Sequence, residues 1–249
     1  MNALQNKVAL ITGGSRSLGL AMARALIDQG AEVVITARSR GTLDEAATTL
    51  GSRAFAVQMD VRDPDSVRAA MASVAERFGR LDILVNNAAI GCLHRIDQAS
   101  DADLQAQVET NLLGVIYTIR EAVPLMRKAG GGDIVNVSSE SVRLPFPMLS
   151  VYAATKAAIE CLATGLRDEL RPERIRIATL RCGNIADNSG FGDAWSAEQK
   201  ADAFQLWGKT GHLAFAGEAI PQSIVADTLV SMLGLPPSGG LDLIEVRGR

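Results

Sequence analysis

The stretch VALITGGSRSLG, Val8–Gly19, contains the pattern from which the fold can be predicted. It begins with a short apolar run, as a buried strand does, and it ends in a Gly-rich loop. A helical pattern follows, with apolar residues at three- and four-residue spacing, and Gly30 closes it. A second apolar strand comes next, at 32–36. This order predicts a strand–loop–helix–strand unit of about 30 residues, the size that a parallel βαβ crossover requires.

The alternation of strands and helices continues along the rest of the chain. Further strands are predicted at about 54–58, 81–85, 133–137, 175–180 and 241–246. Helices are predicted at about 42–50, 64–78, 100–128, 151–170, 197–207 and 218–234. Nearly all-apolar strands are typical of a parallel sheet that is covered on both faces. We therefore predict an α/β protein in which 1–249 form a single domain, a doubly wound parallel sheet of the Rossmann type with helices on both faces.

The segment 187–219 interrupts this alternation as a long, Gly-punctuated insertion before the last helix. It contains half of the aromatic residues of the chain: Phe191, Trp195, Phe204, Trp207 and Phe215. A long loop in a compact domain usually has a function, so one interpretation is a lid on the substrate side. The other interpretation, of equal weight, is a packed cap or an oligomer contact.

Composition and charge exclude several classes of protein. The net charge is −3, with 25 basic and 28 acidic residues and no basic run, which argues against a nucleic-acid partner and a polybasic membrane anchor. No apolar run is long enough to span a membrane, and the N-terminus lacks the apolar core of a signal peptide. We therefore expect a cytoplasmic globular protein.

The cysteines point to the same compartment. Cys92, Cys161 and Cys182 are an odd number of widely spaced residues without a CxxC pair, and only two histidines accompany them. Such cysteines are typical of reduced thiols in a cytosolic protein, and the set argues against a zinc site. No metal is expected.

The loop over 12–19 lies where the first strand meets the first helix. Backbone N–H groups at that point, together with the helix dipole, suit the pyrophosphate of a dinucleotide. The glycines alone are a weak signal, because they do not spell the G-x-G-x-x-G fingerprint.

Further motifs follow this loop in a specific order. They are Thr12-Gly13-x-x-x-Ser17-x-Gly19, Asp60-Val61, Asn86-Asn87-Ala88-Ala89, Asn111, Ser139 and Tyr152-x-x-x-Lys156. With them, residues 5–186 resemble the short-chain dehydrogenase/reductase family, which implies a nicotinamide cofactor on a Rossmann sheet. The resemblance implies these cofactor-binding residues: Gly13, Ser15, Arg16, Leu18, Gly19, Arg38, Asp60, Val61, Asn87, Ala88, Tyr152, Lys156, Gly183 and Ile185. By the same resemblance, Asp60 and Val61 flank the adenine, and the run 86–89 lines the ribose side.

The choice between NAD and NADP depends on charge. An acidic residue after the second strand accepts from the ribose 2′-hydroxyl of NAD, whereas an arginine accommodates the 2′-phosphate of NADP. Here Arg38 follows that strand, no acid occurs before Asp44, and Arg16 adds a second cation in the Gly-rich loop. Arg40 is interpreted as a surface residue. The sequence therefore favours NADP(H) over NAD.

Tyr152 and Lys156 are spaced i, i+4 on a predicted helix, so their side chains share a face. A nearby ammonium favours the phenolate and lowers the pKa of a tyrosine, which then serves as a general acid or base. The resemblance implies that Lys156 also holds the nicotinamide ribose hydroxyls.

Ser139 follows the strand 133–137, at the edge where open α/β sheets bind ligands. Its hydroxyl is expected to hydrogen-bond the substrate oxygen, and Ser138 is the neighbouring candidate that strand alternation and the family spacing disfavour. The resemblance implies that Asn111 holds a water in a proton relay beside Lys156.

Four positions depart from the family pattern. Ser17 stands where glycine or alanine is usual, Ala89 replaces a glycine, and Cys182 replaces a proline. Asp187 stands where a threonine commonly contacts the nicotinamide carboxamide, so we expect its carboxylate to accept from that amide if it faces the cofactor.

These features predict an NADP(H)-dependent oxidoreductase that interconverts a carbonyl and a secondary alcohol by hydride transfer, with Ser139, Tyr152, Lys156 and Asn111 as the catalytic set. The aromatic insertion favours an apolar or aromatic-bearing small-molecule substrate, the alternative being that it only closes the site against water. A homodimer or homotetramer is expected through the small, apolar helix around 151–163, the alternative being burial of that helix within one subunit. Two other functions stay open: an epimerase or dehydratase that retains its nicotinamide, and a non-catalytic cofactor-sensing protein.

Overall fold

A central parallel sheet organises the protein in the computed structural model, which describes residues 4–186, 191–192, 194–236 and 238–248. Within this part of the chain the sheet has seven strands in the order β3-β2-β1-β4-β5-β6-β9. They are β1 Val8–Thr12, β2 Glu32–Ala37, β3 Ala54–Gln58, β4 Ile83–Asn86, β5 Gly132–Ser139, β6 Ile175–Cys182 and β9 Leu243–Val246. A separate pair, β7 (Ile185–Ala186) and β8 (Ile220–Pro221), is also parallel.

The helices cover both faces of this sheet. Their bounds are α1 Ser17–Asp28, α2 Arg40–Leu50, α3 Pro64–Phe78, α4 Asp101–Val108, α5 Gly114–Ala129, α6 Ser150–Leu170, α7 Ala197–Lys209, α8 His212–Ala216 and α9 Gln222–Leu233. Alternate residues of each strand point to opposite faces. Thus Ile11 packs in a core with α1, α2 and α9, whereas the adjacent Leu10 packs in a second core with α3, α5 and α6. The prediction of a doubly wound α/β sheet is confirmed.

The order of the strands determines where a ligand can bind. β1 pairs with β2 on one side and with β4 on the other, so the direction of winding reverses between β1 and β4. The crevice at the carboxyl ends of the strands, at such a reversal, is the usual ligand site of open α/β sheets. The loop after β1 and the residues after β4 therefore meet at this crevice.

Some predicted boundaries were wrong. The predicted helix 100–128 is α4 and α5 joined by a π-helical turn, Glu109–Leu113. The last helix begins at Gln222 rather than at 218, because Ile220 and Pro221 pair as a strand with β7. Within the insertion, α8 was not predicted at all.

The described residues of the segment 187–219 pack over the carboxyl end of the sheet. Here α7 begins with a reciprocal cap, in which Ser196 Oγ accepts from Gln199 N and Gln199 Oε1 accepts from Ser196 N. Trp207 of α7 is buried in a small third core with Phe146 and Leu93. This packing supports the interpretation as a cap, and opening as a lid stays a prediction.

None of the described helices is both long enough and apolar enough to cross a bilayer.

Candidate active site

A single cleft of about 1060 Å³ lies at the carboxyl edge of the sheet and brings most of the predicted site residues together. The predicted residues that line it are Gly13, Ser15, Arg16, Leu18, Gly19, Arg38, Asp60, Val61, Asn87, Ala88, Ser139, Tyr152, Lys156, Gly183 and Ile185. Asn111 does not line the cleft and is fully buried beside it. Asp187 lies outside the described residues, so its predicted contact stays a prediction.

The Gly-rich loop is held against the residues after β4. The Thr12 hydroxyl accepts from the backbone N–H groups of Asn87 and Ala88, at 3.0 Å each. The Asn87 amide donates in return to the carbonyl oxygens of Thr12 and Gly13, at 2.9 and 3.2 Å. These bonds fix the loop at the entrance of α1.

Two glycines in this loop have no room for a side chain. Gly13 has a φ of +65°, and a Cβ there would lie 3.1 Å from Ala88 Cα. A Cβ on Gly19 would collide with the carbonyl oxygen of Gly13. At the start of α1, Arg16 is the cap residue and provides no side-chain cap. The close packing and the lack of a side-chain cap from Arg16 fit a phosphate cradle.

Ser17, the first departure from the family pattern, adopts a left-handed backbone conformation with a φ of +51°. Glycine adopts this region without strain, whereas a residue with a Cβ loses about 1–2 kcal/mol there. Glycine would therefore suit this backbone better than serine does.

The end of the cleft beside β2 and β3 is rich in arginine. Arg16, Arg38 and Arg62 line it with one carboxylate, Asp60. Arg62 binds that carboxylate with its guanidinium, Nη2 to Oδ2 at 2.6 Å, and with its backbone N–H at 3.0 Å. The hydrogen bond from Arg62, aided by the charge of Arg38, holds the pKa of Asp60 below its usual range. Asp60 is therefore charged and already paired with Arg62. The end of the cleft beside β2 and β3 thus carries a surplus of positive charge.

Sequence analysis missed Arg62, although its place directly after the Asp60-Val61 motif was a usable signal. Arg40, by contrast, is half exposed, forms an ion pair with Asp44 on its own helix and does not line the cleft. Its interpretation as a surface residue agrees with this position.

Tyr152, Ser139 and Lys156 meet at the carboxyl end of β5. The Ser139 hydroxyl lies close enough to the Tyr152 phenol to lower its pKa, and Ser139 Oγ also accepts from Ser141 N at 3.2 Å. Lys156 is 3% exposed, and its Nζ donates to the Val137 carbonyl at 2.7 Å. Nζ lies 5.7 Å from the centroid of the Tyr152 ring. The three groups thus face the cleft from one turn of α6 and the end of one strand.

Burial controls the titration of this pair. It raises the pKa of Tyr152 above its usual value, and the neighbouring Ser139 hydroxyl offsets only part of the effect. Burial also lowers the pKa of Lys156 to about 8, and the neighbouring Cys182 and Glu160 side chains oppose this change. We expected Lys156 to lower the pKa of Tyr152, but with these side chains alone burial outweighs any such effect and the pKa is raised. The phenol keeps its proton at neutral pH.

Ser138, the neighbouring candidate, is hydrogen-bonded to a different group. Its hydroxyl donates to Glu160 Oε1 at 2.6 Å, and Arg181 binds both oxygens of the same carboxylate. Of the two serines, Ser139 is the one that acts on the pKa of Tyr152.

Asn111 lies in the π-helical turn between α4 and α5. Its Oδ1 accepts from Ile90 N at 2.9 Å, and its Nδ2 donates to Ile90 O at 2.8 Å and to Thr155 Oγ1 at 3.1 Å. Both amide protons are therefore used. The side chain connects the residues after β4 to the helix that carries Lys156, and its role in a water relay stays a prediction.

A buried carboxyl, Glu140, follows Ser139 directly and also lines the cleft. Burial raises its pKa to about 7, and the positive charge of Arg247 opposes this rise. Its Oε2 is buried without a hydrogen-bond partner among the described residues. Sequence analysis missed this group, for which its position beside Ser139 was the available signal. Next to it, burial raises the pKa of the Cys182 thiol to about 12.

The opposite end of the cleft is aromatic. Tyr152 packs edge-to-face against Phe191, with centroids 5.0 Å apart, and Phe191 against Trp195 at 5.3 Å. Farther out, Trp207 contacts both Phe146 and Phe204 at 5.2 Å. We call these five side chains beyond Tyr152 the aromatic wall: Phe146, Phe191, Trp195, Phe204 and Trp207. Their indole N–H groups donate to backbone carbonyls, so the wall offers the cleft an apolar surface.

Comparisons with known sequences agree with this geometry. A family model described as short chain dehydrogenase matches residues 7–198. Oxidoreductase BOA17 of Botryotinia fuckeliana is 38% identical over 180 residues, which cover 72% of this chain and 66% of that one. Oxidoreductase asL5 of Sarocladium schorii is 42% identical over 183 residues, which cover 74% of each chain.

Solved structures of oxidoreductases also resemble this chain, and they do so over nearly its whole length. A metagenomic short-chain oxidoreductase in complex with NADP has a TM-score of 0.81 at 25% identity, with 99% of each chain covered. An alcohol dehydrogenase of Thermococcus sibiricus complexed with 5-hydroxy-NADP has a TM-score of 0.82 at 27% identity, with 98% and 97% covered. The closed form of a serine dehydrogenase complexed with NADP+ has a TM-score of 0.84 at 25% identity, with 96% and 94% covered.

Proposed function

The chain belongs to the short-chain dehydrogenase family of oxidoreductases, and from this premise we propose that it interconverts a carbonyl compound and a secondary alcohol with NADP(H). The observation that carries the proposal is that Ser139, Tyr152 and Lys156 meet in one cleft with the glycine loop. A general acid and a second hydroxyl are thereby directed at one substrate oxygen.

The cleft fits a nicotinamide dinucleotide phosphate. The packed loop at Gly13 and Gly19 and the uncapped start of α1 suit its pyrophosphate. Arg16 and Arg38 suit a 2′-phosphate, because arginine forms charge-assisted and often bidentate bonds with phosphate oxygens. Asp60 does not oppose that charge, since Arg62 already partners it. When bound, the cofactor supplies or takes up the hydride.

The protein's own residues move the proton. In the direction of reduction, the Tyr152 hydroxyl gives its proton to the carbonyl oxygen, while Ser139 donates a hydrogen bond to the same oxygen. The raised pKa of Tyr152 suits this role, because the group remains protonated at neutral pH. Lys156 has a pKa of about 8 and is therefore mostly a cation at pH 7, beside the developing negative charge.

The substrate class follows from the aromatic wall. The side chains that line this end of the cleft are apolar, and Phe204 is 50% exposed at the mouth. A neutral ketone or alcohol with an apolar or aromatic group gains from burial there, whereas an additional carboxylate would lose its hydration without a cationic partner.

We also propose a homodimer or homotetramer that uses α6. One face of this helix is buried against the sheet, and the other exposes small side chains, among them Ala154, Ala157, Cys161 and Thr164. Small residues allow close approach of a second helix. Sedimentation equilibrium of the full chain tests this, and a monomer at micromolar concentration contradicts it.

Two measurements test the proposed reaction. Calorimetric titration at fixed ionic strength should show tighter binding of NADPH than of NADH. Incubation with aryl ketones should then consume NADPH, detected by its absorbance, and produce the alcohol. Turnover of a substrate without net consumption of NADPH would favour the epimerase or dehydratase alternative, and failure to bind either cofactor would contradict the proposal altogether.

A further inference from the structure

Three side chains of different chemistry converge outside the cleft, between the loop after β4 and the start of α4. Cys92, His94 and Asp103 each offer one ligand atom, and these atoms all lie within 4.8 Å of one another. Cys92 Sγ is 3.8 Å from Asp103 Oδ1, and His94 Nε2 is 2.9 Å from Asp103 Oδ2. We propose that these three side chains bind a zinc ion.

The chemistry of the donors favours zinc over other common cations. A thiolate sulfur, an imidazole nitrogen and a carboxylate oxygen are the ligand types that zinc takes in proteins, whereas calcium and magnesium require oxygen ligands. The negative charges of the thiolate and the carboxylate also balance those of a divalent ion. A tetrahedral ion with bonds of about 2.0–2.3 Å needs its ligands roughly 3–4 Å apart. Because the ligand atoms of all three residues lie within 4.8 Å of one another, side-chain movements of about 1 Å bring them to these separations.

The backbone around these ligands is already fixed. Gln107 is 1% exposed, and its Oε1 accepts from Cys92 N at 3.2 Å. Its Nε2 donates to the Asp103 carbonyl at 3.3 Å, so one buried amide holds the main chain of two ligands. His94 N donates to the Met148 carbonyl at 3.0 Å. Such outer contacts position metal ligands in known sites.

The site is open to solvent on one side. The side chains of His94 and Asp103 are 23% and 40% exposed, so an ion can enter and a water can complete the coordination. Three protein ligands with one open position are a frequent zinc arrangement.

The ion would stabilise the segment that supports the aromatic wall. Trp195 Nε1 donates to the Gly91 carbonyl at 2.7 Å, and Gln199 Nε2 donates to the Leu93 carbonyl at 2.8 Å. Both acceptors lie in the segment 91–94, which contains two of the three ligands. A metal clamp between this segment and α4 thus fixes the base on which the wall rests.

Cobalt binding to the chelator-treated full chain tests the site independently of any enzyme activity. Co²⁺ is expected to bind once per chain, with the visible bands of a tetrahedral ion and a thiolate-to-cobalt charge-transfer band in the near ultraviolet, and Zn²⁺ should displace it. Cys92→Ser should lose the charge-transfer band. It should also weaken binding at least about 100-fold, since loss of even an outer contact costs about 10–100-fold. Cys161→Ser, at an exposed position of α6, is the matched control and should retain the wild-type spectrum.

His94→Gln provides a second variant in which the thiol is kept. Its affinity for Co²⁺ should also fall about 100-fold or more, with the melting temperature of the metal-free protein unchanged. The proposal is overturned if wild-type protein shows no charge-transfer band, if Cys92→Ser retains the band, or if His94→Gln binds Co²⁺ as tightly as the wild type does.

Discussion

The Ser139 hydroxyl lies beside the Tyr152 phenol in the cleft, although Ser139 ends β5 and Tyr152 lies in the first turn of α6. One turn farther along α6, Lys156 donates to the Val137 carbonyl of the same strand. The turn that carries the proposed acid is therefore held against β5 by Lys156. In the proposed reaction, this attachment places both hydroxyls at one substrate oxygen.

Loss of either cleft arginine should reduce the preference for NADPH. Arg16→Ala and Arg38→Ala should each lower kcat/KM for NADPH about tenfold or more, because a charge-assisted hydrogen bond contributes about 1.5–3 kcal/mol. The value for NADH should change little, since that cofactor lacks the 2′-phosphate. Steady-state kinetics with both cofactors measures the ratio.

Arg40→Ala is the matched control for these variants, because Arg40 pairs with Asp44 outside the cleft. An equal loss in Arg40→Ala, or an equal loss with NADH in the other two variants, would show that the arginines do not read the 2′-phosphate.

The rate of carbonyl reduction should depend on the charge of Lys156. Its pKa is lowered by burial to about 8, so kcat/KM should fall as the pH rises through about 8 and the ammonium loses its charge. Tyr152 remains protonated in this range, because its pKa is raised. Lys156→Arg keeps the positive charge and should flatten the profile between about pH 7 and pH 10, even if its rate is lower. The same descending limb in Lys156→Arg would assign the titration to another group.

Glu140 should make stability depend on pH. Its pKa is raised from 4.5 to about 7 in the folded protein, so the folded state holds a proton that the unfolded state loses between these values. Its contribution to stability is therefore present at low pH and lost as the pH rises toward 7. Glu140→Gln should stabilise the protein at pH 8 by up to about 3 kcal/mol. It should have little effect at pH 4.

Urea unfolding at the two pH values measures this difference. The charges that face Glu140 also act on its pKa: Arg143 and Arg247 lower it, and Glu245 raises it. Glu45→Gln, on the exposed surface of α2 and away from its ends, is the control and should change stability little at either pH. A Glu140→Gln effect that is equal at pH 4 and pH 8 would mean that the carboxyl does not titrate as described.

Ser17→Gly should stabilise the protein. The residue has a φ of +51°, a region that costs a residue with a Cβ about 1–2 kcal/mol and costs glycine little. A gain of about 1 kcal/mol in the free energy of unfolding is expected, whereas Ser17→Ala retains the strain and should give none. A destabilised Ser17→Gly would show that the hydroxyl contributes more than the strained backbone costs.

The fold could be predicted from the sequence because its signal is local. The apolar run that begins at Val8, the loop to Gly19 and the next strand occur in the order of a single βαβ unit, and the structure confirms the parallel sheet. The start of α9 could not be predicted, because it depends on the pairing of Ile220 with Ile185, two residues far apart in the chain.

In the candidate site, too, local patterns could be predicted from the sequence and contacts between distant residues could not. The i, i+4 spacing of Tyr152 and Lys156 predicts that they share a helix face, and a family pattern identifies Ser139 among two adjacent serines. The hydrogen bond of Ser138 to Glu160, which removes the other candidate, is a tertiary contact that no spacing reveals. Likewise, the numbers of cysteines and histidines argue against zinc. Such a count leaves out the third donor at the proposed metal site, which is Asp103 of α4.

The measurement that tests the central claim most directly is the rate of NADPH oxidation with an aryl ketone, compared between wild type, Tyr152→Phe and Tyr117→Phe. Tyr117 is the other tyrosine of the chain and lies on α5, so its substitution controls for the loss of a phenol elsewhere. We expect Tyr152→Phe to lower kcat by about 10²–10⁴-fold, as loss of a general acid does, with NADPH affinity retained and Tyr117→Phe near wild type. If Tyr152→Phe reduces the ketone at the wild-type rate, Tyr152 is not the proton donor and the proposed chemistry is wrong.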